Sequence, residues 1–380
     1  MPVLAVTKER RAGETRVAVT PDAAKKLIAL GFAVVVEAGA GAQAGATDAD
    51  YQAAGAKVAA SAAEALKAAD LVLKVRAPAD EEIAALKAGA ILVGLFNPHQ
   101  SKPLIEALAG AKATVFSMEF VPRITRAQVM DALSSQANLA GYRAVVEAAA
   151  VYGRAMPMMM TAAGTIAPAK VFVMGAGVAG LQAVATARRL GAVVTATDVR
   201  PATKEQVESL GAKFVAVEDE EFKQAETAGG YAKEMSKEYQ AKQAALVAEH
   251  IKKQDIVITT ALIPGRPAPR LITRDMVTSM RPGSVIVDLA VERGGNVEGA
   301  NPGHVAEVNG VKIVGYSNPG RLAASASSLY AKNLYAFLEI LIDKKTKALA
   351  VNWDDDIVKA TALTRNGAVV HPNFAPKTAA

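Results

Sequence analysis

The sequence predicts an α/β fold of two domains, each built on a parallel sheet, with the second domain inserted into the first. Three observations lead there. The chain has 380 residues, more than one hydrophobic core comfortably serves. Short β-branched runs alternate with Ala-rich stretches, the pattern of strands covered by helices on both faces. That alternation restarts at Lys170 after a long helical stretch, and the final segment, with Trp353, reads as a return to the first domain. The expected boundaries are 1–135 plus 325–380 for the first domain and 136–324 for the inserted one.

Taken in order, Val3–Val6 and Ala33–Glu37 read as strands. Between them Pro21–Leu30 reads as a helix, capped by Thr20 and stopped by Gly31. Leu71–Val75, Ile91–Leu95 and Thr114–Ser117 continue the sheet. Ser134–Tyr152, with Leu139, Tyr142, Val145 and Val146, suits one long buried connector helix. The three methionines Met158, Met159 and Met160 suit either a soft binding surface or a loop packed into a core, and composition favours the loop. The second sheet takes Val171–Met174, Val193–Thr197, Phe214–Ala216, Ile256–Thr259, Val285–Asp288 and Lys312–Val314. Glu218–Glu238 is an insertion too polar for a core. From Ser325 a helix carrying Leu329, Leu334, Phe337, Leu338 and Leu341 leads to the C-terminal segment.

Composition closes several routes. With no cysteine, no disulfide, thiolate metal site or catalytic thiol is possible. The net charge of +6 comes from 43 basic and 37 acidic residues without a basic run, so nucleic acid is not an expected partner. No apolar stretch reaches the roughly 18 residues that a membrane helix needs. The N-terminus reads as a strand followed by charge, not as a signal peptide. His99, His250, His304 and His371 are scattered without metal-ligand spacing and read as surface or loop residues, so no metal is expected. No nucleophile elbow is present.

The segment Val171–Leu181 carries the sharpest signal. Gly175-Ala176-Gly177-Val178-Ala179-Gly180 follows an apolar strand and opens an Ala-rich helix, and Asp198 ends the next strand 23 residues after Gly175. That is the whole context of a Rossmann-type dinucleotide site, where a bare G-x-G-x-x-G would be weak. Gly175 permits the tight turn, Gly177 lets the backbone approach a pyrophosphate, and Gly180 lets the helix pack on the sheet. The helix N-terminus offers N–H groups and partial positive charge to the phosphates. Asp198 can accept from the ribose hydroxyls and would repel a 2′-phosphate, which favours NAD over NADP; Arg200 weakens that preference slightly. The bland reading is a glycine turn that binds nothing, with Asp198 a solvated strand-end residue.

Two polar segments remain. Met118–Asn138 holds Arg123, Gln128, Asp131, Ser134 and Asn138 just after a strand, which suits a ligand site or a capped helix start equally well. Thr227–Ser236, with Gly229, Gly230, Tyr231 and Met235, suits a hinged lid or a surface loop.

At these segments the sequence resembles the NAD(H)-binding alpha subunit of proton-translocating nicotinamide nucleotide transhydrogenase, in the short form without membrane helices. The likeness covers essentially the whole chain. It is carried by Lys8-Glu9-Arg10-Arg11 with Glu14 and Arg16, by Arg123–Ala144, by Met158–Thr165, by Ala225–Met235, by Thr259–Gly265 and by Asp288–Glu292. The resemblance implies that Arg123, Gln128 and Asp131 surround the dihydronicotinamide, with Ser134 beside its carboxamide. It implies that Val178 and Gly175, Gly177 and Gly180 hold the pyrophosphate. Asp198, Val199 and Arg200 would take the adenosine ribose end; Gly230, Gln243 and Leu262 would line the nucleotide; and Tyr231 would fold over it.

The implied reaction is hydride transfer, of the Re/Si-specific class, between NADH bound here and NADP⁺ bound on a beta subunit, coupled to proton translocation in a membrane partner. The chain would be a homodimer, peripheral on the cytoplasmic face of the inner membrane through its partners. Transfer between two nicotinamide rings needs geometry and dryness, which fits the lack of a catalytic acid or base. The rival is an alanine dehydrogenase-like enzyme. Arg16 and Lys74 lie where that family places its substrate arginine and lysine, but Phe96 and Asn97 stand where its histidine belongs, with His99 offset. A third reading is an NAD sensor without catalysis.

Overall fold

Local signals set the first helix. The Thr20 hydroxyl accepts from the Ala23 N–H at 3.4 Å, Pro21 takes the first helical position, and Gly31 ends Pro21–Leu30 in the left-handed region. The computed structural model describes residues 1–225, 235–263, 265–316 and 319–376. The chain divides into two units, Met1–Gln136 with Gly320–Ala380, and Ala137–Pro319.

The first unit holds strands β1 (Val3–Val6), β2 (Ala33–Glu37), β3 (Lys57–Ala59), β4 (Leu71–Leu73), β5 (Ile91–Gly94) and β6 (Thr114–Ser117). They are parallel, in the order β3-β2-β1-β4-β5-β6, and two antiparallel C-terminal strands, Ala362–Arg365 and Ala368–Val369, extend the sheet past β6. Both faces are covered, so β4 reads Leu-Val-Leu with every side chain buried. The helix Ala323–Leu338 lays Tyr330, Leu334, Phe337 and Leu338 into this core. Trp353 packs beside the same core, its ring 5.9 Å from Phe116 and covered by the Arg365 guanidinium at 3.8 Å. The C-terminal segment thus completes the unit in which the chain begins. Lys57–Ala59 and the last two strands lie outside the sequence-predicted set. They are short, and their hydrophobic pattern spans too few residues to be read alone.

In the second unit β7 (Met159–Thr161) and β8 (Gly164–Ile166) form a hairpin. The sequence expectation of a loop packed into a core fails here. Met158, Met159, Met160 and Ile166 are all exposed, because the hairpin closes at its base through the Ala169 N–H to Met156 carbonyl bond and packs no face. The sheet proper runs through β9 (Lys170–Met174), β10 (Val193–Thr197), β11 (Lys213–Phe214), β12 (Ile256–Thr259), β13 (Val285–Asp288), β14 (Val305–Val308) and β15 (Val311–Val314). Its order is β11-β10-β9-β12-β13-β15-β14, parallel except for β14.

Each unit arranges its six parallel strands as third, second, first, fourth, fifth, sixth. That is the doubly wound order, with a switch point between the first and fourth strands. The connector helix spans Ala132–Val151; Ala144, Val145 and Ala148 are buried in the second core, while Tyr142 is exposed rather than buried as expected. Part of the polar insertion also departs from expectation: Phe222, Ala225 and Met235 are buried, because a few apolar side chains suffice to pin a polar segment. His371 is likewise buried, its ring 4.3 Å from Phe120 and 5.2 Å from Phe374.

Candidate dinucleotide site

Ligands of doubly wound sheets bind beyond the carboxyl ends of the strands at the switch point. In the second unit that point lies between β9 and β12, and β9 leads straight into Gly175. Gly175 has φ +104°, which disfavours any side chain. Its N–H donates to the Thr197 carbonyl at 2.8 Å and so ties the turn to β10. A Cβ on Gly180 would stand 1.7 Å from the Gly175 carbonyl oxygen, so only glycine lets the helix approach the turn. A Cβ on Gly177 would instead meet open space, the space a bound group would fill. The helix Val178–Arg189 starts at Gly177 without a side-chain cap, leaving first-turn N–H groups for an anion. Val178 stands exposed at that end.

Asp198, after β10, is held from four sides. Its Oδ2 accepts from the Ala176 N–H at 2.7 Å and Arg200 Nη2 at 3.0 Å. Its Oδ1 accepts from the Arg200 backbone N–H and Nε, both at 2.9 Å. The acid that would read a ribose is thereby bonded to the turn that would hold a pyrophosphate. Val199 is half-buried between Asp198 and Arg200. Gln243 braces the same end: its Nε2 donates to Thr197 Oγ1 at 3.0 Å and its Oε1 accepts from the Val217 N–H at 3.0 Å. Its amide is thus committed to positioning β10.

Across the switch point, Thr260 and Asn296 have roles that the sequence did not signal. Thr260 donates through its N–H to the Met174 carbonyl at 2.9 Å and through Oγ1 to the Gly175 carbonyl at 3.1 Å. Fully buried Asn296 accepts from the Ala261 N–H at 3.0 Å and donates to the Ala261 carbonyl at 2.9 Å. Between these clamps and solvent, Leu262 and Ile263 remain exposed. Buried Asp288 accepts from the Ala290 and Val297 N–H groups at 2.9 and 3.1 Å, and burial raises its pKa. Gly141 is a further unassigned element, since a Cβ there would lie 2.0 Å from the Ala179 carbonyl oxygen. The contacts of Thr260 and Asn296 reach partners 85 and 35 positions away, so local spacing does not disclose them, whereas Asp288 is held by neighbours two and nine positions on. Gly230 and Tyr231 lie outside the described residues.

In the first unit, Gln128, Asp131 and Ser134 line one groove of about 550 Å³ with Val129, Ser135, Leu329, Lys332 and Asn333. Exposed Arg123 is not among its lining residues. Both sequence-level readings of this segment meet in Asp131. It caps the helix, its Oδ1 accepting from the Ser134 N–H at 2.8 Å and its Oδ2 from the Ser134 hydroxyl at 2.5 Å, and it faces the groove. The segment is anchored by buried Ala127 and Met130, by the Arg126–Asp355 fork at 2.8 and 2.9 Å, and by Asn333, whose Nδ2 donates to the Val129 carbonyl at 2.9 Å.

The switch point of the first unit is filled by its own charges. Arg16, 3% exposed, forks onto Glu14 at 2.7 and 2.6 Å and reaches Gln136 at 2.7 Å. Lys74, 1% exposed, donates to Thr7 Oγ1 at 3.0 Å and Glu82 Oε1 at 3.1 Å. Phe96 is buried, and Asn97 donates its Nδ2 to Gln100 at 2.7 Å. Neither supplies a titrating proton donor for a keto acid or iminium. Among the described residues no cluster could hold a metal, and no helix is long and apolar enough to cross a membrane.

Comparison with known proteins matches residues 5–140 to the alanine dehydrogenase/PNT N-terminal domain and residues 144–372 to the alanine dehydrogenase/PNT C-terminal domain. The chain is 58% identical over 375 residues to an NAD(P) transhydrogenase subunit alpha protein of Rhodospirillum rubrum, covering 97% of this chain and 98% of that protein. It is similar to the crystal structure of transhydrogenase from Sinorhizobium meliloti, with a TM-score of 0.88 and 61% identity over 97% of this chain and 100% of that one. An alanine dehydrogenase from Halomonas elongata is more distant, at 33% identity over 97% of this chain and 94% of its own length.

Proposed function

This chain belongs to the alanine dehydrogenase/PNT family, on its transhydrogenase alpha-subunit side, and from that premise we propose that it binds NADH and presents it for hydride transfer to NADP⁺ held by a beta subunit. The observation that carries the reading is the glycine turn at the second unit's switch point, hydrogen-bonded to Asp198 and opening onto an uncapped helix N-terminus. The fit is chemical. Open space at Gly177 suits a pyrophosphate, free N–H groups suit its charge, and an acid at the strand end suits ribose hydroxyls.

The dinucleotide supplies the hydride. The chain binds, orients and shields it. Val178, Leu262 and Val199 offer apolar surface around the nucleotide, with Gln243 bracing the strand that carries Asp198. Arg123, Gln128, Asp131 and Ser134 are the proposed polar contacts of the nicotinamide end. No general acid or base is assigned, because transfer between two nicotinamide rings moves no proton at this chain. As a transhydrogenase subunit the chain has partners. We propose that these carry the NADP(H) site and the proton path, that the reaction is Re/Si-specific, and that the chain sits on the cytoplasmic face of the inner membrane through them. A homodimer is supported by residues 158–167, an ordered hairpin exposed throughout and flanked by no charge from Ala155 to Ala169.

The test is to mix the purified chain with an NADP(H)-binding partner domain and follow hydride exchange between the two nucleotides. Exchange that requires both components is expected; its absence with both nucleotides bound refutes the reading. Arg123→Ala and Gln128→Ala should slow exchange more than they weaken NADH binding. Equal losses would make them binding residues only. The chain alone should not oxidise L-alanine with NAD⁺; turnover there would transfer the assignment to the alanine dehydrogenase branch, while NADH binding without exchange would leave a sensor.

A further inference from the structure

Beyond Thr259, where β12 ends, the main chain leaves the sheet, yet Ala261 is still paired on both its polar groups. The partner is a side chain. Asn296, fully buried, accepts from the Ala261 N–H at 3.0 Å and donates to the Ala261 carbonyl at 2.9 Å. It donates again to the Pro269 carbonyl at 2.8 Å, so its amide oxygen and both amide hydrogens are engaged. Its backbone carbonyl takes the Leu271 and Ile272 N–H groups at 2.8 and 3.0 Å. One residue thus grips both ends of the stretch that leaves β12. Asn296 is itself fixed, because the adjoining Val297 N–H donates to buried Asp288 at 3.1 Å. The gripped stretch presents apolar surface: Leu262 and Ile263, directly after Ala261, are 54% and 45% exposed. Side chains that stay in water gain little from hydrophobic burial, so the polar bonds around Ala261 must set where these two stand.

We propose that Asn296 is a positioning residue for NADH: its side-chain amide holds Ala261, and with it Leu262 and Ile263, as a preformed apolar ledge at the switch point. The proposal rests on the reading of the second unit as the NADH site and deepens it. Thr260, immediately before the ledge, donates Oγ1 to the Gly175 carbonyl at 3.1 Å, which ties the ledge to the glycine turn. Asn296 is buried and acts through Ala261, not by touching the nucleotide. A loop ordered before binding spares the ligand the entropic cost of ordering it. Without the amide, the Ala261 N–H and carbonyl lose their partner, and that cost returns at each binding event.

The experiment titrates NADH fluorescence with the full chain, with Asn296→Ala, with Leu262→Ala and with the double variant, well below each melting transition. Asn296→Ser replaces Asn296→Ala if the latter lacks a cooperative thermal transition. Asn296→Ala should bind NADH about tenfold more weakly, the scale of ordering a short stretch of chain on binding. Leu262→Ala should weaken binding about threefold in the parent by loss of apolar cover. In the Asn296→Ala background it should cost nothing further, because the ledge is no longer held. In hydride exchange with an NADP(H)-binding partner domain, Asn296→Ala should raise the KM for NADH by about the same tenfold and leave kcat within about twofold. Unchanged NADH affinity in Asn296→Ala, additive losses in the double variant, or a kcat that falls as far as KM rises would each overturn the positioning role. Failure of the parent chain to bind NADH would instead overturn the nucleotide assignment itself.

Discussion

Single residues carry two opposed titrations in the first unit. Glu14, forked by Arg16 and reached by Arg76 at 2.9 Å, is held down to about 2 by those cations, against its burial. Its contribution to stability is present above its ordinary pKa near 4.5 and is lost as pH falls towards 2. Glu9, its side chain 2% exposed, is pushed up to about 7 by burial, although Lys74 stands 3.7 Å away. The sign is reversed: its contribution is full below about 4.5 and declines as pH rises to about 7, by about 3 kcal/mol. Glu9→Gln, which resembles the protonated acid, should therefore raise the melting temperature at pH 8 more than at pH 5. An equal shift at both pH values would show that Glu9 is not the titrating group. At Gly180 the constraint is steric, because its neighbour at 1.7 Å is backbone and cannot rotate away. Gly180→Ala should cost about 1–3 kcal/mol in urea unfolding and weaken NADH binding. An unperturbed variant would contradict the packing.

At the scale of elements, the β7–β8 hairpin stands out because two strands with no packed face are marginal in water. Its apolar side chains have no core to enter, so a second copy is the proposed cover. Met160→Asp should shift the chain from dimer to monomer in light scattering while NADH binding by the second unit persists. A parent chain that is already monomeric would remove the dimer proposal. The helix Val178–Arg189 plays the opposite part. Its N-terminus is left uncapped where an anion is to bind, and its Ala183, Val184 and Ala187 face is buried against the sheet. The polar segment Arg123–Ser134 is ordered by contacts sequence distance conceals: Asp355 lies 229 positions from Arg126 and Asn333 lies 204 from Val129.

For the whole molecule, one strand order serves both units, yet their switch points differ in chemistry. One is closed by Arg16, Lys74 and the carboxylates that neutralise them. The other presents Gly177, an uncapped helix and exposed Leu262. Binding confined to the folded state adds about 2.7 kcal/mol at a hundredfold excess over the dissociation constant. NADH at that excess should raise the melting temperature, and L-alanine should not. Stabilisation by alanine or pyruvate alone would mean that the first unit's ion pairs open to a substrate.

Wherever a residue's role is set by its immediate neighbours in the chain, the sequence alone determined it. The Thr20 cap, the Gly31 stop, the glycine turn after β9 and the acid after β10 were all legible, because strand, turn and helix there lie within a few tens of residues. The exposure of the Met158–Met160 hairpin, the burial of Phe222 and His371, the saturation of Asp198 by Arg200, and the clamps made by Thr260, Asn296 and Asn333 were decided only by the tertiary structure. Each depends on which distant atoms fill the adjoining space. Hydrophobic period and spacing report the face a residue prefers; they carry no record of the partner that will meet it there.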